Sequence, residues 1–411
     1  MAEKPLPLAG VRVADFSWIV AGPQATRMLA DLGAEVIRIE NESHIDSMRI
    51  GAQLEGEPNY NRSGFFSNFN RNKLGITANL DHPKGREVVE KLIAVSDMVV
   101  ENFSAGAFER MGFSWEHMQE LNPSIIYMSL SGYGHLGRDA SYVTWGPTAA
   151  AVSGCTAMSG MPDQPPAGWG FSYLDHTAGY YGAIAALMAL NYRRRTGRGQ
   201  YIDISQIETG MVLNGVPMLD YQVNGREYER AGNHAPGEGV APHAVYRCKD
   251  SLEGEDRWIA IAAETEEQWL ELCEVLSAPE LVADERFTTN AARLENQGDL
   301  DDEITARTRR FDTRELMYLL QARGVPAGTA QNTRDKMELD PQHAFRGFYA
   351  AAPHAELGEH RFEGFPVQFS ESRWQMKRGA PCLGEDSMDV LTRVLGYSEA
   401  EVADLMAEAA I

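Results

Sequence analysis

The sequence predicts an α/β protein whose first part is an open, largely parallel sheet and whose middle part forms a second, smaller domain. Three observations carry this. Short apolar runs alternate with helix-periodic stretches from Gly10 to about Gly134, the pattern of strands joined by crossover helices. A long stretch of small and apolar residues, TAGYYGAIAALMALNYRRR, follows at residues 177–195. Beyond Asn224 the composition changes to a Gly/Pro segment, GNHAPGEGVAP, and then to short strands and helices.

The elements follow in order. A strand (VRVADFS), a turn with Gly22 and Pro23, a helix (QATRMLADLG) and a second strand (AEVIRIE) make a βαβ unit. Next come a helix from Pro83, a strand (DMVVEN), helices near Ala105 to Met111 and Ser114 to Leu121, and a strand (SIIYMSLSGYG). The long helix over 176–195 ends at Thr196 and Gly197, its basic last turn suiting the helix dipole. Strand QYIDIS follows it directly. After the Gly/Pro segment come strands AVYRC and RWIAIA and short helices to about Arg323. The tail from Asp335 carries turn and strand signals (GFYAAAP, HRFEGFPVQFS) and a last amphipathic helix, SEAEVADLMAEA. There is no internal repeat.

A chain of 411 residues exceeds what one hydrophobic core usually supports. The formal charge of −22 repels phosphate backbones and anionic membrane surfaces, so no nucleic-acid or membrane partner is expected. Cys155, Cys248, Cys273 and Cys382 lie far apart with no CxxC pair, which signals neither a zinc site nor a disulfide framework. The opening MAEKPLPLAGVRV lacks the pattern of a signal peptide, and no window approaches the roughly 18 apolar residues a membrane span needs. A soluble cytoplasmic protein with reduced thiols is expected.

Several constellations invite chemistry. The first strand, turn and helix, with Glu40 closing the second strand, invite a dinucleotide reading. The turn VAGPQAT argues against it, because it has one glycine followed by a proline without an N–H where GxGxxG is needed. Asp175, in GWGFSYLDHTAGYYGA, sits between aromatic residues and a long apolar helix. It either caps that helix or serves as a catalytic carboxylate, and the two are compatible. His135, His176, His234 and His243 lack the spacing of a metal motif. No GxSxG elbow supports serine hydrolysis.

Taken together, several stretches resemble the class III CoA-transferase family, which includes formyl-CoA transferase, the carnitine CoA-transferase type and α-methylacyl-CoA racemase. They are LAGVRVADFSWIVAGPQATRMLADLGAEVIRIE, FNRNKLGITANLDHPKGREVV, DMVVENFSAGAFERMGFSWEHMQELNPSIIYMSLSGYG, TGRGQYIDISQIETGM and GVPAGTAQNTRDKMELDPQ. The similarity covers nearly the whole chain. It implies a large Rossmann-like domain from both chain ends, 1–222 and 336–411, with a small α+β domain at 223–335 between them. It also implies an interlocked homodimer of ring-shaped subunits.

The resemblance matches Asp175 to the family's nucleophilic aspartate. It implies CoA transfer from an acyl-CoA donor to a carboxylic acid acceptor through mixed anhydrides and an aspartyl-CoA thioester. Coenzyme A is then a substrate, and no permanently bound cofactor or metal is expected. Ala21, Asn102, Phe103, Arg110 and Met111 match positions that contact the nucleotide, and Gly237 and Gly239 resemble the family's glycine loop in position. Arg38 enters on chemistry alone, against the reading of a surface arginine paired with an acid.

Two departures bear on the substrate. Val20 stands where formyl-CoA transferase has glutamine, and Trp145 with Gly146 stands for its tyrosine–glutamate pair. The lining of Trp18, Val20, Trp145 and Trp169 favours a larger or less polar acyl group than formyl or oxalyl. Two alternatives stay open. A racemase would need a histidine where Trp145 stands, unless His176 substitutes; a non-catalytic acyl-CoA binder would not need Asp175 at all.

Overall fold

The computed structural model describes residues 4–51, 59–234 and 239–411. Its chain divides into two compact units, one of residues 1–156, 168–226 and 342–411, the other of 157–167 and 227–341.

The first unit is built on a six-stranded sheet in the order β3-β2-β1-β4-β5-β6. Its strands are β1 (Arg12–Asp15), β2 (Glu35–Glu40), β3 (Leu74–Thr77), β4 (Met98–Glu101), β5 (Ile126–Ser131) and β6 (Tyr201–Ser205). Every pairing among them is parallel. Crossover helices cover both faces of such a sheet, so its strands read as continuous apolar runs. Alternate residues then feed two cores. Val13, Val36, Val100 and Met128 enter one, and Ala14, Ile37, Val99 and Tyr127 enter the other.

Strand β3 is missing from the periodicity-based reading above. It has four residues, one of them a glycine, and its free edge is held by the distant tail. Asp386 accepts the Gly75 N–H at 2.8 Å and returns its own N–H to the Gly75 carbonyl at 2.9 Å. No local pattern encodes that support.

The long helix runs from Tyr173 to Thr196. Its small residues have a packing purpose against the helix Ala21–Asp31. A Cβ added at Gly179 would lie 2.5 Å from Gln24 Cγ and 2.9 Å from the Ala21 carbonyl oxygen. At Gly182 an added Cβ would lie 3.2 Å from the Ala25 Cβ, a tight contact. The two helices therefore approach backbone to side chain, which brings the start of one beside the start of the other.

The second unit holds the antiparallel sheet β7 (His243–Arg247), β8 (Trp258–Ala262) and β9 (Ala327–Thr329). One face of it joins Trp269, Leu272, Ile304 and Leu316 in a separate core. Residues 157–167, which the similarity places with the large domain, cluster with this unit. Arg230 explains why: its guanidinium donates to the carbonyls of Ala157, Met161, Pro162 and Gln164. A strand pair, β10 (Tyr349–His354) with β11 (Gly358–Glu363), completes the first unit.

A charged network lies under the carboxyl ends of β1 and β2. Asp15, Arg38, Arg49 and Lys73 are wholly buried and Glu40 nearly so. Arg38 pairs with Asp46 at 2.7 Å and Glu40 at 3.2 Å, and Arg49 with Glu40 at 2.6 Å. Arg38 is thus paired with neighbouring acids, as the alternative reading has it, but buried rather than at the surface, and Glu40 is committed to arginines rather than to a ribose. Lys73 donates to Asp15 at 2.9 Å and to Asn70 at 2.9 Å. Burial lowers the Lys73 ammonium to about 8 despite Asp15. Burial raises the Asp15 carboxyl, but Lys73 and Arg38 outweigh it and hold the group below its ordinary range.

Removing one partner of such a pair strands the other charge. Lys73→Met is expected to cost about 3–5 kcal/mol of unfolding free energy, read by urea denaturation. A loss below about 1 kcal/mol, the scale of an exposed pair, would contradict this role.

Candidate active site

In a doubly wound sheet the strand order reverses beside the first strand, and ligands bind in the crevice outside the carboxyl ends there. Here the reversal lies between β1 and β4. Segments leaving β1, β4 and β5 line a cavity of about 200 Å³ that also contains Asp175 and Gln206.

The wall after β1 is Ile19, Val20 and Ala21. Asn102, just beyond β4, clamps the preceding residue twice, accepting the Trp18 N–H at 2.6 Å and donating to the Trp18 carbonyl at 2.8 Å. Ile19 has φ 65°, a left-handed conformation that strains a β-branched residue by on the order of 1–3 kcal/mol. Its N–H is held by Asp46 at 3.0 Å, so the buried charge network supports this wall. The wall after β5 returns through Tyr142, Val143, Thr144 and Trp145. Gly132 permits that return, because a Cβ there would fall 1.8 Å from Thr144 Oγ1.

Asp175 enters from the long helix. The helix begins at Tyr173 with Ser172 in the capping position, so Asp175 lies within the first turn and is not the cap. Its residue is 9% exposed. Burial raises its carboxyl above the ordinary aspartate range, while hydrogen bonds from Gln206 and Ser172 oppose the rise. Gln206 Nε2 donates to Asp175 Oδ1. The helix N-terminus also favours the anion. Gly146 packs beside the other oxygen: a Cβ there would lie 2.8 Å from Asp175 Oδ2.

Asp175, Ala21, Asn102, Phe103 and Trp145 thus share one cavity. Arg110 and Met111 do not line it; they close the short helix Ala107–Arg110 and its cap and are exposed. Val20 and Gly146 line it, whereas Trp18 packs edge-on against Phe103 and Trp169 against Tyr173. In the second unit Gly239 accepts a hydrogen bond from Asn290 Nδ2 at 3.3 Å; Gly237 lies outside the described residues. His234 pairs with Asp301 at 2.6 Å. Among the described residues no cluster of three or more His, Cys, Asp and Glu could hold a metal, and no helix is long and apolar enough to cross a membrane.

His176 does not line the cavity. Its ring packs against Phe69 and Phe171 with centroids 5.5 and 5.8 Å away, and burial, with Arg27 nearby, lowers its pKa. His135 is also away from the lining, 3.6 Å from Glu101. Glu101 accepts the Phe103 N–H at 2.7 Å and the Tyr127 hydroxyl at 2.8 Å. Burial nevertheless pushes this carboxyl up to about 7. Sequence reasoning missed Gln206 and the spatial role of Gly146, since neither belongs to a recognisable catalytic pattern.

Fold and site together define a doubly wound α/β protein with a buried carboxylate in its switch-point crevice. Residues 8–387 match the family described as CoA-transferase family III. The succinyl-CoA–D-citramalate CoA-transferase of Chloroflexus aurantiacus is 34% identical over 99% of this chain and 98% of its own. The human succinyl-CoA:glutarate CoA-transferase is 30% identical over 97% of this chain and 89% of its own. The crystal structure of a CAIB/BAIF family protein from Brucella suis superposes with a TM-score of 0.87 at 30% identity, covering 95% of this chain and all 100% of that one. The chain belongs to CoA-transferase family III, and it is a CoA-transferase.

Glu101 yields a prediction with a definite sign. Its folded pKa, about 7, exceeds the ordinary 4.5, so the folded state binds more protons between those values and stability falls as pH rises through that window. Glu101→Gln removes this dependence. Relative to the variant, the wild type should lose on the order of 3 kcal/mol between about pH 5 and about pH 8, measured by urea unfolding. Parallel pH profiles would contradict the assignment.

Proposed function

We propose that Asp175 is the covalent nucleophile of a CoA transfer from an acyl-CoA donor to a carboxylic acid acceptor. The observation that carries this is the placement of one buried carboxylate at a helix N-terminus inside the switch-point cavity. Its carboxylate attacks the donor thioester carbonyl; a C–O bond forms, the C–S bond breaks, and CoA leaves as thiolate. The thiolate then attacks the aspartyl carbonyl of the mixed anhydride, releasing the donor acid and leaving an aspartyl-CoA thioester. The acceptor carboxylate attacks that thioester, and the released thiolate takes the acceptor acyl group, restoring Asp175. No water is consumed.

Asn102, Phe103, Ala21 and Trp145 are the proposed contacts to CoA and acyl group within the cavity, with Arg110 and Met111 meeting the nucleotide end. A guanidinium suits phosphate. Succinyl-CoA is the proposed donor, because the relatives above are named for it. The intermediates hydrolyse readily, and the loop bearing Gly237 and Gly239 is given the task of excluding water.

An interlocked homodimer fits the apolar surface of the first unit. The helix Gly215–Asn224 buries no residue, and Val216, Leu219, Tyr221 and Val223 are exposed. Patches of that kind mark association surfaces. The large domain is proposed as 1–222 with 336–411 and the small one as 223–335, in a cytoplasmic enzyme whose cysteines are all free.

Racemisation would need a second proton-transfer group. Among the described residues lining the cavity there is no histidine, and Trp145 cannot exchange a proton at neutral pH.

The test is intact-mass spectrometry after mixing with a panel of acyl-CoAs, then hydroxylamine treatment and peptide mapping. A CoA-sized adduct on Asp175, discharged by hydroxylamine, is expected with succinyl-CoA. Asp175→Ala should lose at least about 10³-fold in exchange of label between succinate and succinyl-CoA. Full exchange by that variant would reject the proposal.

A further inference from the structure

Resting on the reading of Asp175 as nucleophile, we infer that Gln206 is a positioning residue that holds Asp175 Oδ1 and leaves Oδ2 as the attacking atom, with Gly146 keeping its approach open. A nucleophilic carboxylate in a cavity has two equivalent oxygens and a free χ2 rotation. Productive attack needs one oxygen within about 3–3.5 Å of the carbonyl carbon along a defined line, so the rotation must be stopped.

Gln206 is placed to stop it. It is the first residue of the helix Gln206–Leu213, immediately after β6, and Ser205 caps that helix by accepting the Glu208 N–H. Its residue is 7% exposed, and its amide donates to Oδ1. The amide carries no charge, so it orients the carboxylate without the strong stabilisation an arginine would impose, which would blunt nucleophilicity.

Oδ2 faces the other way. The space in front of it exists because residue 146 has no Cβ; a methyl there would stand 2.8 Å from Oδ2 and 2.5 Å from Ser172 Oγ. The Ser172 hydroxyl is one rotatable donor, and a carboxylate oxygen has two lone pairs, so a pair on Oδ2 stays available. The groups that set this carboxyl's titration are its burial, Gln206 and Ser172. Tyr142 is the other ionisable side chain lining the cavity, and the neighbouring His176 is turned onto Phe69 and Phe171.

Gln206→Leu keeps the bulk and removes the donor. Exchange of label between succinate and succinyl-CoA should fall about 10- to 100-fold in kcat with KM for succinyl-CoA changed less than about threefold, because binding is left intact. The acid limb of its pH–rate profile should move to higher pH, as loss of a hydrogen bond to the charged form requires. Gln206→Glu preserves the shape and decides the matter if the leucine variant does not fold. Its ionised side chain repels Asp175, so activity should be lost above neutral pH and regained in part on acidification, when the protonated acid can donate again. Gly146→Ala should lower kcat, because the added methyl crowds Asp175 Oδ2 and Ser172 Oγ. A Gln206→Leu enzyme within twofold of wild type and with the same acid limb would overturn the inference, as would a Gln206→Glu enzyme with the wild-type profile. Asp175→Ala separates the two levels: if it still exchanges label, the nucleophile assignment itself fails; if it is inactive while both Gln206 variants are unaffected, only the positioning role fails.

Discussion

Buried charge must be paired, and the paired charges beneath β1 and β2 are what the site is built on. Asp15, Arg38, Glu40, Asp46, Arg49 and Lys73 have little or no access to water, so each needs a partner in a fixed position. Those positions fix more than the network itself. Asp15 accepts the Ser17 N–H at 3.0 Å, Arg38 donates to the Ser17 carbonyl at 2.6 Å, and Asp46 accepts the Ile19 N–H at 3.0 Å. The chain leaving β1 is thereby held, strained Ile19 included, and delivers Val20 and Ala21 to the cavity. A hydrophobic core could stabilise the sheet equally well, but it has no hydrogen-bonding directions with which to aim a loop.

The second constraint is the close approach of two helices. Gly179 and Gly182 let the long helix settle against Ala21–Asp31, and the first turn carrying Asp175 then faces the loop that the charge network holds. The carboxylate's environment is a balance. Burial raises its pKa and thus its basicity, while Gln206, Ser172 and the helix N-terminus keep the ionised form accessible. A carboxylate taken partly out of water suits the proposed attack on a thioester, because less hydration must be stripped at that moment.

Much of this fold is legible in the chain. The strands at β1, β2, β4, β5 and β6 announce themselves as short, mostly apolar stretches between helix-periodic ones, as strands of a covered parallel sheet do, although β1, β2 and β4 also carry the buried Asp15, Arg38, Glu40 and Glu101. Strand β3 is not legible, because its edge is secured by Asp386 from the far end of the chain. Asp175 stands out in the sequence as a carboxylate between aromatic residues and an apolar helix, and similarity singles it out further. Gln206 does not, for a glutamine beginning a helix after a strand is ordinary until its amide is seen on the carboxylate. Arg38 and Glu40 mislead in the opposite sense. As charged residues at a strand end they resemble ligand contacts; that Arg38 pairs with an acid is one of the two readings the sequence allows, but its full burial is not legible there.

The most direct measurement follows oxygen rather than coenzyme. A carboxylate that forms a mixed anhydride exchanges one oxygen with each acid it handles. Succinyl-CoA should be turned over repeatedly with succinate carrying oxygen-18 in both carboxylates, and the peptide containing Asp175 then weighed. If Asp175 is the nucleophile, this peptide gains the mass of one oxygen-18, about two daltons above the unlabelled peptide, with fragmentation placing it on Asp175. Turnover that leaves Asp175 unlabelled would mean that the acids react directly with the thioester, and the covalent role would be wrong.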